Sequence, residues 1–132
     1  MTGTFDYEKG DKRSLPDING FFSNNATYPY YSDAVWYLSQ MRRWGQIAEY
    51  KSDAWYKDIA KQVYRPDIYA AAAKELIAEG KADAKDFPEF DKELGYRKPQ
   101  TEFIDKITFD GSKPNDYLNS FKIGLKGKDK IK

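Results

Sequence analysis

Arg42 and Arg43, followed directly by Trp44, put two guanidiniums and an indole N–H within three consecutive residues. A guanidinium presents a planar fork of N–H donors that matches an oxyanion, and the indole adds a flat wall and one further donor. The chemistry open to such a trio is non-covalent: it could hold a small anion. The same residues have a second use. At a helix C-terminus two cations face the negative end of the dipole while a tryptophan plugs a core. Residue types alone leave both readings open.

Other groupings carry less chemistry. Tyr28, Tyr30, Tyr31, Trp36 and Tyr37 could stack on sugars or bases. Stacking on nucleic acid works together with a basic groove, and 22 Lys and Arg against 21 Asp and Glu leave a net charge of only +1. No nucleic-acid partner is therefore expected. Tyr28, Tyr30 and Trp36, with Trp55 further along, read as structural or interface anchors. Asp83, Asp86, Glu89 and Asp91 lack the alternating ligands and central glycine of a calcium loop. With no His and no Cys, thiolate nucleophiles, disulfides, histidine-based zinc or haem sites and His-dependent triads are excluded. There is no phosphate-cradling glycine loop and no nucleophile elbow. The expectation is a non-enzyme with no catalytic residue, metal or cofactor.

The elements that would position these residues are mainly helical. Residues 1–31 read as irregular or weakly extended, punctuated by Gly10, Pro16, Gly20 and Pro29 and anchored by Phe5, Tyr7, Phe21, Phe22, Tyr28 and Tyr30. A first helix is predicted over about 33–46, with Ser32 as N-cap and a stop at Gly45. A second follows Ser52 and carries Trp55, Tyr56, Ile59, Ala60 and Val63 on one face. A third opens at Pro66, has Asp67 in its first turn and ends at Gly80. Beyond a charged linker, Pro88 can open a short helix through Phe90 and Leu94. Ile107–Phe109 alternates like a strand before the Asp110-Gly111 turn, and Pro114 opens a last short helix.

The 132 residues suffice for one domain. Aromatics make up 17% of a chain that is 33% charged, so the core should be built from rings, with tyrosine hydroxyls reaching the surface. No apolar run is long enough to span a membrane. The first residues lack the basic and apolar regions of a signal peptide.

Three ordered blocks resemble the nitrate- and bicarbonate-binding proteins of ABC transporters. Pro29-Tyr30-Tyr31-Ser32-Asp33, then Trp36, then Arg43-Trp44-Gly45 follow the family's Pro-x-x-Ser-Asp, Trp and Arg-Trp-Gly. Val63-Tyr64-Arg65-Pro66-Asp67-Ile68-Tyr69 with Ala72-Ala73 is similar to a second family block. Phe103–Asp110 followed by Pro114–Ile123 is similar to the family's closing segment.

The resemblance implies a C-terminal piece of a two-lobed, periplasmic-binding-protein-like α/β clamp. The expected fold is accordingly a small, mainly α domain with a long irregular N-terminal segment and at most one or two short strands. Residues 1–125 form that region (1–31 packing segment, 32–80 helical core, 81–125 short helices and turn), and 126–132 form a disordered basic tail. The family's ligand-binding Trp, Gln and Lys come mainly from upstream segments with no counterpart here, so the piece should not be a complete anion site. Its partners would be the upstream lobes and an ABC permease, in a parent that is periplasmic or lipid-anchored outside the cytoplasm. Met1 then reads as the start of a truncated frame, and the isolated chain should self-associate, as a dimer in the simplest case. Two alternatives remain: an anion-sensing regulatory domain fused to a nitrate-transporter ATPase, and a small helical protein-interaction module.

Overall fold

A computed structural model describes residues 3–15, 25–90, 95–123 and 129–130. The anchors Phe21, Phe22 and Leu94 and most of the basic tail lie outside these residues. Within them the order is β1 (Gly3–Glu8), β2 (Asp11–Leu15), α1 (Tyr31–Arg43), α2 (Asp53–Val63), α3 (Pro66–Ala78), a 3-10 turn (Ala84–Asp86), α4 (Pro114–Leu118), β3 (Lys122–Ile123) and β4 (Asp129–Lys130).

The mainly helical class holds. The four strands exceed the one or two expected, and they form two separate antiparallel pairs rather than one sheet. The larger pair falls in the segment read as irregular or weakly extended: β1 and β2 join through Lys9-Gly10, with Gly10 at φ 95°. A two-residue loop with a left-handed glycine suits the twist of a hairpin. The alternation at Ile107–Phe109 yields no strand, only a single bridge between Gln100 and Phe109. The residues around Pro88 form no helix as far as Phe90.

Helix boundaries follow local chemistry. Ser52 caps α2 by accepting the Trp55 N–H at 3.3 Å. Pro66 starts α3 and Asp67 sits in its first turn. α1 and α3 end alike: Gly45 and Gly80 take left-handed φ of 82° and 69°. Their N–H groups donate back to Arg42 O and Ile77 O, and the next residues, Gln46 and Lys81, reach Met41 O and Leu76 O. This paired pattern satisfies carbonyls that the helix would otherwise leave open. α1 departs from expectation at its start, for the helix begins at Tyr31 with Tyr30 as N-cap and no side-chain cap bond.

α1 packs against α2 and α4. Their shared core comprises Ala34, Val35, Tyr56, Ala60, Phe109, Tyr117, Leu118 and Ile123. Alanines let the helices approach while rings fill the remaining space. Val63, placed on the apolar face of α2 by periodicity, is exposed. A second aromatic group holds α3: Tyr69 meets Tyr28, Phe87 and Phe90 at ring-centroid distances of 5.3, 6.3 and 6.5 Å. Tyr56 corrects the expectation that tyrosine hydroxyls reach the surface, because its hydroxyl is buried and has no hydrogen-bond partner among the described residues.

Candidate functional site

Two polar junctions hold distant segments of the chain on the helices. Ser32, expected to cap α1, instead accepts the backbone N–H of Arg97 on its Oγ at 3.0 Å. The Arg97 Nε donates to both carboxylate oxygens of Asp33 at 3.0 and 3.2 Å, and its guanidinium lies 3.9 Å from the Tyr30 ring centroid. At the far end of the core, Asp53 Oδ1 accepts from the Asn115 backbone N–H at 3.0 Å and from Asn115 Nδ2 at 2.7 Å. The first junction ties residues 95–97 to the start of α1; the second ties α4 to the start of α2.

The first junction opens into a cleft of about 480 Å³. Its rings come from Tyr28, Trp36, Tyr37, Tyr64, Phe103 and Phe109, and its charged groups are Asp33, Arg97 and Lys98. Trp36 and Phe103 stack nearly parallel, 11° apart in plane, with centroids separated by 6.3 Å. The Trp36 Nε1–H is buried with no acceptor among the described residues. Burial, with the Tyr37 phenol and the Asp33 carboxylate adding to it, pushes the Tyr64 phenol above its ordinary value. The surroundings therefore favour a neutral hydroxyl there. A concave aromatic surface with a few polar groups can hold a small molecule by shape and orient it by hydrogen bonds. Among the described residues, no group of three or more Asp, Glu, His or Cys could hold a metal ion.

The residues singled out by sequence lie elsewhere or play several parts. Arg42 is only 7% exposed, and its Nη1 donates to the carbonyls of Ile47, at 3.0 Å, and Ala48. Arg43 turns outward from this clamp, with its guanidinium 3.7 Å from the Phe121 ring centroid and 5.2 Å from that of Trp44. Trp44 is 51% exposed. Arg43 and Trp44 thus adjoin one another, while Arg42 is committed to backbone carbonyls. Tyr28 and Tyr30 are buried, with ring centroids 4.5 Å apart. Trp36 and Trp55 pack on the core while partly exposed. Arg97 and Lys98 escaped the sequence reading. Their surrounding sequence carries no motif, and Arg97 meets Asp33 only through the tertiary fold.

Comparison with known proteins bears on what this arrangement belongs to. The chain is 37% identical over 122 residues to the nitrate/nitrite binding protein NrtA of Nostoc sp., covering 92% of this chain. It is 31% identical over 100 residues to the bicarbonate-binding protein CmpA of Synechococcus elongatus, covering 75% of this chain. The chain belongs to the nitrate- and bicarbonate-binding protein family. It spans 25% of NrtA and 20% of CmpA, as a C-terminal segment. The nitrate import ATP-binding protein NrtC of Synechococcus elongatus is also similar, 31% identical over 121 residues, which are 90% of this chain and 16% of NrtC. No family model and no solved structure matches.

The blocks that carry the nitrate- and bicarbonate-binding family's pattern coincide with the junctions. Ser32 and Asp33 receive Arg97. Gly45 closes α1 in a left-handed turn. In the closing segment, Tyr117 and Leu118 enter the core and Asn115 donates to Asp53. Much of the pattern is thus occupied in holding helices and loops together.

Proposed function

We propose that the chain works as the C-terminal part of an ABC-transporter solute-binding protein for nitrate, bicarbonate or a related small anion, and that it does not hold a complete anion site by itself. The observation that carries this reading is 37% identity to NrtA across 92% of this chain while spanning 25% of NrtA. Arg42 supports it from the negative side, since a guanidinium spent on two carbonyls is poorly placed to close on an oxyanion. Arg43 and Trp44 remain candidate ligand contacts, completed from upstream lobes of the same parent. On this reading the parent acts outside the cytoplasm and delivers its anion to a permease, and the chain performs no catalysis.

A chimera tests the proposal: the NrtA of Nostoc sp. with its C-terminal segment replaced by this chain. Nitrate binding within about tenfold of the parent is the expected outcome. A chimera that folds cooperatively yet no longer binds nitrate would contradict it.

The similarity to NrtC favours a second reading, an anion-sensing domain fused to a nitrate-transporter ATPase. The DNA upstream of the chain separates the two, since a clamp supports the first and an ATPase the second. In either parent the exposed Tyr37, Met41, Trp44, Val63, Ile68 and Leu76 would find cover. The isolated chain is then expected to self-associate, and light scattering would detect a mass above 15.3 kDa. A strictly monomeric mass would favour a self-sufficient interaction module.

A further inference from the structure

We propose that the cleft lined by Trp36, Arg97 and Lys98 is a binding site for a small planar organic carboxylate. The site lies wholly within this chain and its ligand is not an inorganic anion, so it stands apart from the transport reading.

Size comes first. At about 480 Å³ the cleft falls within the range of roughly 300–1,000 Å³ usual for small-molecule sites. A triatomic or tetratomic oxyanion would touch few of its walls. Those walls are largely rings, and the near-parallel pair of Trp36 and Phe103 offers flat apolar surface to a flat ligand.

Charge narrows the class. Asp33 occupies the Arg97 Nε with both of its oxygens. Among the described residues the Arg97 Nη groups have no protein acceptor and the Lys98 ammonium has no ion-pair partner, so the lining of one carboxylate and two cations carries one surplus positive charge. A cationic ligand is opposed by that surplus. A dianionic phosphate is poorly served, because the first N–H groups of α1 already donate, Ser32 to Gly95 O and Asp33 and Ala34 to Tyr30 O. An uncharged hydrocarbon would leave that surplus charge unanswered. One carboxylate on a flat apolar body answers all three demands. Its oxygens would meet Lys98 and the Arg97 Nη groups, while its ring lies on the aromatic wall.

The test titrates the full chain with benzoate, benzyl alcohol and nitrate, by calorimetry and by NMR of the tryptophan indole N–H signals. Trp36→Phe assigns its signal. Benzoate should bind saturably with Kd of about 1 mM or tighter and shift the Trp36 indole signal more than those of Trp44 and Trp55. Benzyl alcohol should bind about tenfold more weakly, since it lacks the charge-assisted contacts. Lys98→Gln, at an exposed position, should weaken benzoate about threefold. Absence of saturable benzoate binding, equal affinity for benzyl alcohol, or an unmoved Trp36 signal would each overturn the proposal. Nitrate binding as tightly as benzoate would do so as well.

Discussion

Tyr56 stands where α1 and α2 meet, fully buried, with a hydroxyl that finds no partner among the described residues. Burial pushes its phenol up to about 12, against an ordinary 10.0, with Arg42 pulling it down and Asp53 pushing it up. A raised acid in the folded state means that the unfolded chain loses its proton first. The associated stability is therefore complete below pH 10 and lost progressively as pH rises to about 12. Tyr56→Phe removes both the unmet hydroxyl and this titration. Urea denaturation should find the variant unchanged or up to about 1 kcal/mol more stable near neutral pH, with a flatter decline between pH 10 and about 12. A variant that is markedly less stable at neutral pH would mean that the hydroxyl has an acceptor. Buried unmet groups of this kind, Trp36 Nε1 among them, are rare in proteins and worth testing one by one.

At the scale of elements, α1 is held by what touches its first turn. Gly111 lies so near that a Cβ placed on it would stand 2.7 Å from the Ser32 Cβ and 2.9 Å from the Ser32 Cα. Backbone cannot yield as a flexible side chain does, so Gly111→Ala must move the 110–111 turn away from the helix. Overpacking of this kind should cost about 1–3 kcal/mol, seen as a lower urea midpoint with an unchanged slope. Alanine tolerated without loss would show that the turn is free to shift. Gly95→Ala meets the Tyr31 ring and a φ of 76° together and should be at least as damaging.

Helix ends were legible in the sequence because they are local: Ser52, Pro66, Gly45 and Gly80 each act within one turn of their own position. The role of Ser32 was not. Its cap chemistry was read locally, yet the hydroxyl serves a backbone donor 65 residues away. Arg97 and the cleft escaped for the same reason. The hairpin of β1 and β2 left a faint trace in the single turn residue Gly10, with too little apolar alternation in Asp11–Leu15 to call for a strand. At Ile107–Phe109 the alternation was present, but Gln100 was the partner for a single bridge. Periodicity reports a face that could pair and says nothing of a neighbour to pair with.

At the scale of the whole molecule, three facts bear on one another. The chain spans a quarter of NrtA. Among the described residues no helix is long and apolar enough to cross a membrane. Large apolar side chains stand exposed on α1, α2 and α3. A binding-protein clamp encloses its ligand with groups converging from several segments, whereas here Trp44 stands exposed beside a half-buried Arg43. The measurement that bears most directly on the account is a calorimetric titration of the isolated chain with nitrate and with bicarbonate. No saturable binding of either tighter than about 1 mM is expected. Saturable binding with Kd of about 1 μM, abolished by Arg43→Ala, would contradict it and make the Arg42-Arg43-Trp44 cluster a site in its own right.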